Sequence, residues 1–208
     1  MVGSGVGSLP RIIAEAAVAV GRPLAGYVEV GDDPQPPTRP VPRLGDARLL
    51  SEPLFLSENE LVVAIQGSER RALCQALLAR GATCPPLVHP EAHISPSARL
   101  GAGTVVSAGV VVQQDAAIGR FCLLNTGCTI DHDNVVGDFT SVSPGAHTAG
   151  GVTIGEEAFI GLGALVLNRV HVGRRATVGA GAVVLRDVDD GATVVGNPAR
   201  PLVKRPRT

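Results

Sequence analysis

From residue 88 onward the chain places an aliphatic side chain at every sixth position. The anchors are Val88, Ile94, Leu100, Val106, Val112, Ile118, Leu124, Ile130, Val136, Val142, Thr148, Ile154, Ile160, Val166, Val172, Val178 and Val184, with Thr148 the one exception. Four residues after each anchor stands a small residue in nearly every case, as at Ala98, Ala116, Cys122, Cys128, Ala146, Ala158 and Ala182. Glycine follows the anchor at 101, 119, 137, 155, 161, 173 and 179. This pattern predicts short strands whose alternate residues point inward, joined by tight corners where glycine relieves crowding. Three strands then close one triangular coil, and coils stack at the strand spacing of roughly 4.8 Å. The expected fold is a parallel β-helix, closed after residue 190 where "GNPAR" breaks the step.

Residues 1–87 follow a different rhythm. "MVGSGVGSLPRIIAEAAVAVG" predicts a Gly-rich turn, Ser8 as N-cap, and a helix of about a dozen residues ending near Gly21. "AGYVEV" (25–30) predicts a strand, the Pro-rich run from Asp32 a loop, and "ELVVAI" (60–65) a buried strand. Ser68 to Arg80 predicts a helix stopped by Gly81. Strands alternating with helices imply a small α/β, Rossmann-like domain over 1–87, followed by the β-helix over 88–208. The turn Gly3, Gly5, Gly7 lacks the full dinucleotide spacing. A Gly turn feeding a helix can still hold a diphosphate, with Glu29 placed to bind a ribose hydroxyl.

Composition narrows the function. An apolar share of 45% supplies a core, whereas aromatics at 2% require that core to be built from small aliphatic groups. A net charge of −1 offers no basic surface for nucleic acid or anionic membrane. The amino-terminal stretch carries no secretion-type leader and Ile12–Val20 is too short to span a bilayer, so the expected compartment is the cytoplasm. Cysteines 74, 84, 122 and 128 lack metal-type spacing and are expected to be reduced, buried thiols.

The chemistry gathers at "TIDHDNVVGDF" (129–139). His132 lies two residues past the anchor Ile130, so Asp131-His132-Asp133 forms a corner, and Gly150 occupies that corner one coil on. Gly151 follows it, and Asn168 is one coil further. An imidazole beside an uncovered peptide N–H is the pair that acyl transfer needs, a proton acceptor and a donor for the carbonyl oxygen. A carboxylate such as Asp133 on the other ring nitrogen would fix the tautomer. On spacing alone His132 is either such a base or a polar residue at an exposed corner. The remaining histidines share no corner with it, so no metal site is expected.

Residues 125–166, "NTGCTIDHDNVVGDFTSVSPGAHTAGGVTIGEEAFIGLGALV", closely resemble hexapeptide-repeat acetyltransferases acting on nucleotide-linked amino sugars, and the related sialic acid O-acetyltransferases. The Gly-turn domain and the "GNPAR" end extend the resemblance over essentially the full chain. It implies a left-handed helix, His132 as general base, Asp133 enhancing its basicity, and the Gly150 amide near the thioester carbonyl. It further implies acetyl-CoA held in the groove between two subunits of a homotrimer. Cofactor contacts fall by position on Ser141, where relatives often carry a histidine, and on Leu162 and Ala180. The acceptor contacts fall on Gly5, Val6, Gly7, Glu29 and Gln66. Here Val6 and Gly7 replace the family's Gly and His, Glu29 replaces an Asp, and Gln66 a Gly. The expected reaction is acetyl transfer from acetyl-CoA to the amine of a sugar nucleotide. Two alternatives stand beside it: O-acetylation of a sialic acid type sugar, and a non-catalytic sugar-nucleotide or assembly module. A metal-dependent hydratase on the same helix would need a histidine cluster.

Overall fold

Each six-residue step becomes a two-residue strand and a four-residue corner. In the computed structural model, strands one coil apart pair in parallel eighteen residues on, as Leu123 with Ser141, Thr129 with His147, and Val135 with Thr153. Residues 1–3, 8–30, 41–65 and 69–202 are described. The chain divides into two compact units, Met1–Pro90 and Glu91–Thr208.

In the second unit three parallel faces run along the helix. The first includes Leu123–Leu124, Ser141–Val142 and Phe159–Ile160; the second Thr129–Ile130, His147–Thr148 and Leu165–Val166; the third Val135–Val136, Thr153–Ile154 and His171–Val172. The anchors point inward: Val106, Val112, Leu124, Ile130, Val142 and Ile160 have no exposed surface. Burying each such side chain contributes about 2 kcal/mol. Small side chains fill the narrow corners between them, with Ala116, Cys122, Cys128 and Ala146 fully buried. The parallel, three-faced stacking fits the left-handed β-helix.

Two classes of corner residue hold the coils at this spacing. At Gly137, immediately after an anchor, an added Cβ would lie 2.5 Å from the backbone nitrogen of Glu156 in the next coil. From Leu100 to Val178 the third residue after the anchor instead takes positive φ. Glycine fills that position at 127, 145 and 163, and Asp133, Phe139 and Arg169 fill it elsewhere. The six-residue step ends earlier than the sequence suggests: Val188 bridges to Val172, sixteen residues back. The corner after Val184 is therefore two residues short, and the chain turns there into the closing strands Thr193–Val195 and Arg200–Pro201.

The first unit is a small parallel sheet in the order β1 (Val2–Gly3), β2 (Tyr27–Glu29), β3 (Arg43–Asp46). Helix α1 (Ser8–Ala19) connects β1 to β2, and Gly21 follows it at φ +69. The strand expected over 60–65 is reduced to isolated bridges, Val63 to Val2 and Glu60 to Thr83. It still satisfies the β1 backbone, since Val2 N–H donates to Val62 O at 2.8 Å. β3 and the short helix α2 (Pro53–Glu58) lie where no element is expected, after the Pro-rich run. The second long helix, α3, spans Glu69–Ala79. The expected cap at Ser8 and the Gly-rich turn at 4–7 lie outside the described side chains. Among the described residues no helix is long and apolar enough to cross a membrane.

Candidate active site

The corner Asp131–Asn134 joins the second face to the third. Its stacking partners follow from the backbone: Asp133 N–H donates to Gln114 O at 3.1 Å, Gly151 N–H to His132 O at 2.9 Å, and Arg169 N–H to Gly150 O at 3.0 Å. Gln114, His132, Gly150 and Asn168 therefore form one column on one edge. Asp133 sits at φ 57, a conformation Asp tolerates better than most residues. The turn swings its carboxylate back toward the ring it follows.

Two aspartates brace the histidine. The His132 backbone N–H donates to Asp131 Oδ1 at 2.8 Å, and ring Nδ1 lies 2.7 Å from Asp133 Oδ2. A carboxylate oxygen accepts only, so this contact assigns the proton to Nδ1 and leaves the Nε2 lone pair free. The hydrogen bond to Asp133 raises the imidazole pKa above its ordinary value of 6.5, with the nearby Asp131 charge adding to the effect. The side chain is half exposed.

The Nε2 edge faces the next coil. A Cβ added to Gly150 would fall 2.5 Å from both Cε1 and Nε2 of His132, so only glycine leaves room for the ring there. The Gly150 N–H meets no acceptor among the described residues. An open lone pair and an open N–H thus stand on adjacent levels of one edge. Such a pair can remove a proton from a nucleophile and stabilise charge on a carbonyl oxygen.

The other expected site residues lie elsewhere. Ser141 is on the first face, half-buried. Leu162 and Ala180 are exposed and stack on the edge between the first and second faces, where Gly181 N–H donates to Leu162 O at 2.8 Å. The second face, bearing Thr129, His147 and Leu165, separates that edge from His132 within one chain. In the first unit Glu29 is buried at the end of β2 opposite Gly3, and its Oε2 accepts from Arg43 Nε at 2.7 Å. The acid read as a ribose ligand is thus already paired, by an arginine that nothing in the sequence pattern singles out. Gly5, Val6, Gly7 and Gln66 lie outside the described residues. Reasoning from corners also passes over Asn134, fully buried beneath His132; its signal is a polar residue at a small-residue position.

All four thiols are free and buried. Burial pushes Cys128 up to about 12 and Cys74 and Cys84 to about 11, leaving none of these three a ready nucleophile. No group of three or more His, Cys, Asp or Glu is arranged to hold a metal among the described residues.

A stacked hexapeptide helix with a carboxylate-braced histidine on one edge is a scaffold that can carry acyl transfer, and comparison with known proteins narrows it. The family described as hexapeptide repeat of succinyl-transferase matches residues 151–186. The acetyltransferase domain of PglB from Neisseria gonorrhoeae superposes with TM-score 0.89 at 39% identity, covering 97% of this chain and 98% of that one. Perosamine N-acetyltransferase from Caulobacter crescentus, in complex with CoA and GDP-perosamine, gives TM-score 0.89 at 35% identity, covering 98% and 96%. WeeI from Acinetobacter baumannii gives 0.80 at 25%, covering 97% and 98%. No curated protein sequence matches significantly. The chain belongs to the hexapeptide-repeat sugar acetyltransferases, and it is an enzyme that uses acetyl-CoA.

Proposed function

We propose that the protein transfers the acetyl group of acetyl-CoA to an amino group of a nucleotide-linked sugar, with His132 as general base. The observation that carries this is the juxtaposition of the His132 Nε2 edge with Gly150, while Nδ1 is tied to Asp133. The acceptor nitrogen attacks the thioester carbonyl carbon as Nε2 takes its proton, and the Gly150 N–H donates to the carbonyl oxygen as charge builds there. Collapse of the tetrahedral species expels CoA as thiolate, which the protonated imidazole neutralises. A base so placed is worth about a hundredfold to ten-thousandfold in rate.

The amine acceptor is favoured by the perosamine enzyme, whose complex holds CoA and GDP-perosamine. In the first unit, read as a Rossmann-like domain, Gly5, Val6, Gly7, Glu29 and Gln66 are the residues proposed to meet the nucleotide. Glu29 would act together with Arg43, since the two are already joined. Ser141, Leu162 and Ala180 are proposed to contact acetyl-CoA. Because Leu162 and Ala180 lie on a different edge from His132, they would serve the His132 of a neighbouring copy, which makes the active unit a homotrimer. The outward Leu162, Leu165 and Leu167, each more than two-fifths exposed, support such self-association. Four free thiols suit a reducing compartment such as the cytoplasm.

The test is a panel of nucleotide amino sugars and sialic acid incubated with acetyl-CoA while free thiol is followed. Release with an amino sugar, and its loss in His132→Ala, is the expected result. Release with sialic acid alone would assign O-acetylation. No release with any acceptor of the panel would overturn the amino-sugar reading.

A further inference from the structure

Of the buried polar residues of the helix, which include Thr104, Ser107 and Thr140, two lie against the His132 corner. Asn134 occupies a small-residue position and has no exposed surface; Thr148 is the one non-aliphatic anchor and is buried. Asn134 Nδ2 donates forward to Ala149 O at 2.9 Å and back to His132 O at 3.2 Å. Thr148 Oγ1 accepts from Asp131 N–H at 3.2 Å and donates to Thr129 O at 3.2 Å. The corner is thus gripped from inside on both sides, through the carbonyl of His132 and through the residues before it.

The forward bond of Asn134 is part of the scaffold. Thr104 and Thr140, at the same position of other coils, donate to Gly119 O at 2.8 Å and to Gly155 O at 3.0 Å, each fifteen residues ahead like Asn134 to Ala149. Neither threonine makes the backward bond; Cys122, at the same position, approaches it only through a 3.8 Å Sγ contact to Arg120 O, against 3.2 Å from the Asn134 amide to His132 O. The cost of the amide is visible: Asn134 Oδ1 is buried with no hydrogen-bond partner among the described residues. An unmet buried acceptor opposes folding, so stability alone would favour Thr, Ala or Val there. Ala149, which Asn134 holds, directly precedes Gly150. One side chain therefore ties the level carrying the base to the level carrying the free N–H.

We infer that Asn134 and Thr148 are positioning residues that set the imidazole of His132 against the Gly150 amide. The inference rests on His132 being the base. The hydrogen bonds of both residues go to backbone groups and not to the ring, so both act on its placement and not on its ionisation.

Asn134→Thr keeps the scaffold bond and removes the grip on His132. Thr148→Val restores the aliphatic side chain that other anchors carry and removes the hydroxyl. Each is expected to lower kcat at least fivefold, roughly 1 kcal/mol of barrier, with KM for acetyl-CoA within twofold of wild type. The thermal midpoint should hold or rise, and the acidic limb of the pH profile should stay in place, because the Asp133 contact is untouched. A fall in kcat for one variant alone confines the role to that residue. Wild-type kcat in both, or a fall in kcat matched by a fall in thermal midpoint, would overturn the inference. His132→Ala measured alongside separates the two layers: if it stays active, the base assignment has failed, whereas an inactive His132→Ala beside fully active variants sinks only the positioning role.

Discussion

Nε2 of His132 lies 2.5 Å from the point where a Cβ on residue 150 would sit. The imidazole therefore occupies space that only glycine leaves open, and Gly150→Ala forces the ring aside. The backbone N–H of residue 150 survives this change, so the variant separates placement of the base from loss of the amide. A displacement of about 1 Å can cost a hundredfold in rate. Gly150→Ala is expected to lose about that much kcat with a nearly unchanged thermal midpoint, checked by thiol release and circular dichroism.

The Asp133 contact makes a separate prediction about pH. It raises the His132 pKa, and a base works only when unprotonated, so activity rises with pH through that raised value. In Asp133→Asn the pKa falls back toward the ordinary 6.5 and the rising limb of kcat/KM moves to lower pH. The plateau drops by about tenfold, because the weaker base also loses the partner that fixed its tautomer. A limb that stays in place would show that Asp133 does not tune the base.

The helix and the edge of the candidate site were legible because one rule generates both. A strict step of six places every anchor inside, and counting eighteen from His132 lands on Gly150, as Gly151 N–H bonding to His132 O demonstrates. The first unit resisted reading for the opposite reason. β3 is a four-residue strand beyond a Pro-rich run, and neither its pattern nor Arg43 within it announces a partner for Glu29. The same count sets Leu162 and Ala180 on a different edge from His132, as Gly181 N–H bonding to Leu162 O reflects; spacing alone gives no reason to join the two edges. Asn134 was visible only as a flaw in the repeat, and its meaning came from the carbonyls it meets.

Glycines of two kinds should respond differently to alanine. At Gly137 a Cβ would press on Glu156 backbone, 2.5 Å from N and 2.8 Å from Cα, and backbone cannot step aside without parting the coils. At Gly163 the space is open but φ is +63. Gly163→Ala then carries only the left-handed penalty, about 1 kcal/mol. Gly137→Ala should cost about 3 kcal/mol through overpacking. Thermal midpoints of the two variants check the order, and an equal or reversed effect would refute close coil contact as the reason for glycine after the anchor.

A direct transfer needs no thiol, which gives the last prediction. Cys122 and Cys128 are fully buried at positions where other coils carry Ala116 and Ala146, and burial holds Cys128 up at about 12. A thiol in that state is neither ionised nor reachable, so an acyl-enzyme through it would require the helix to open. Cys122→Ala and Cys128→Ala should therefore keep kcat within about twofold of wild type, since each removes only a small buried sulfur. Initial rates with acetyl-CoA and acceptor varied together should follow a ternary-complex pattern. Ping-pong kinetics, lost in either variant, would transfer the acetyl group to sulfur first and leave His132 to activate that thiol instead of the amine.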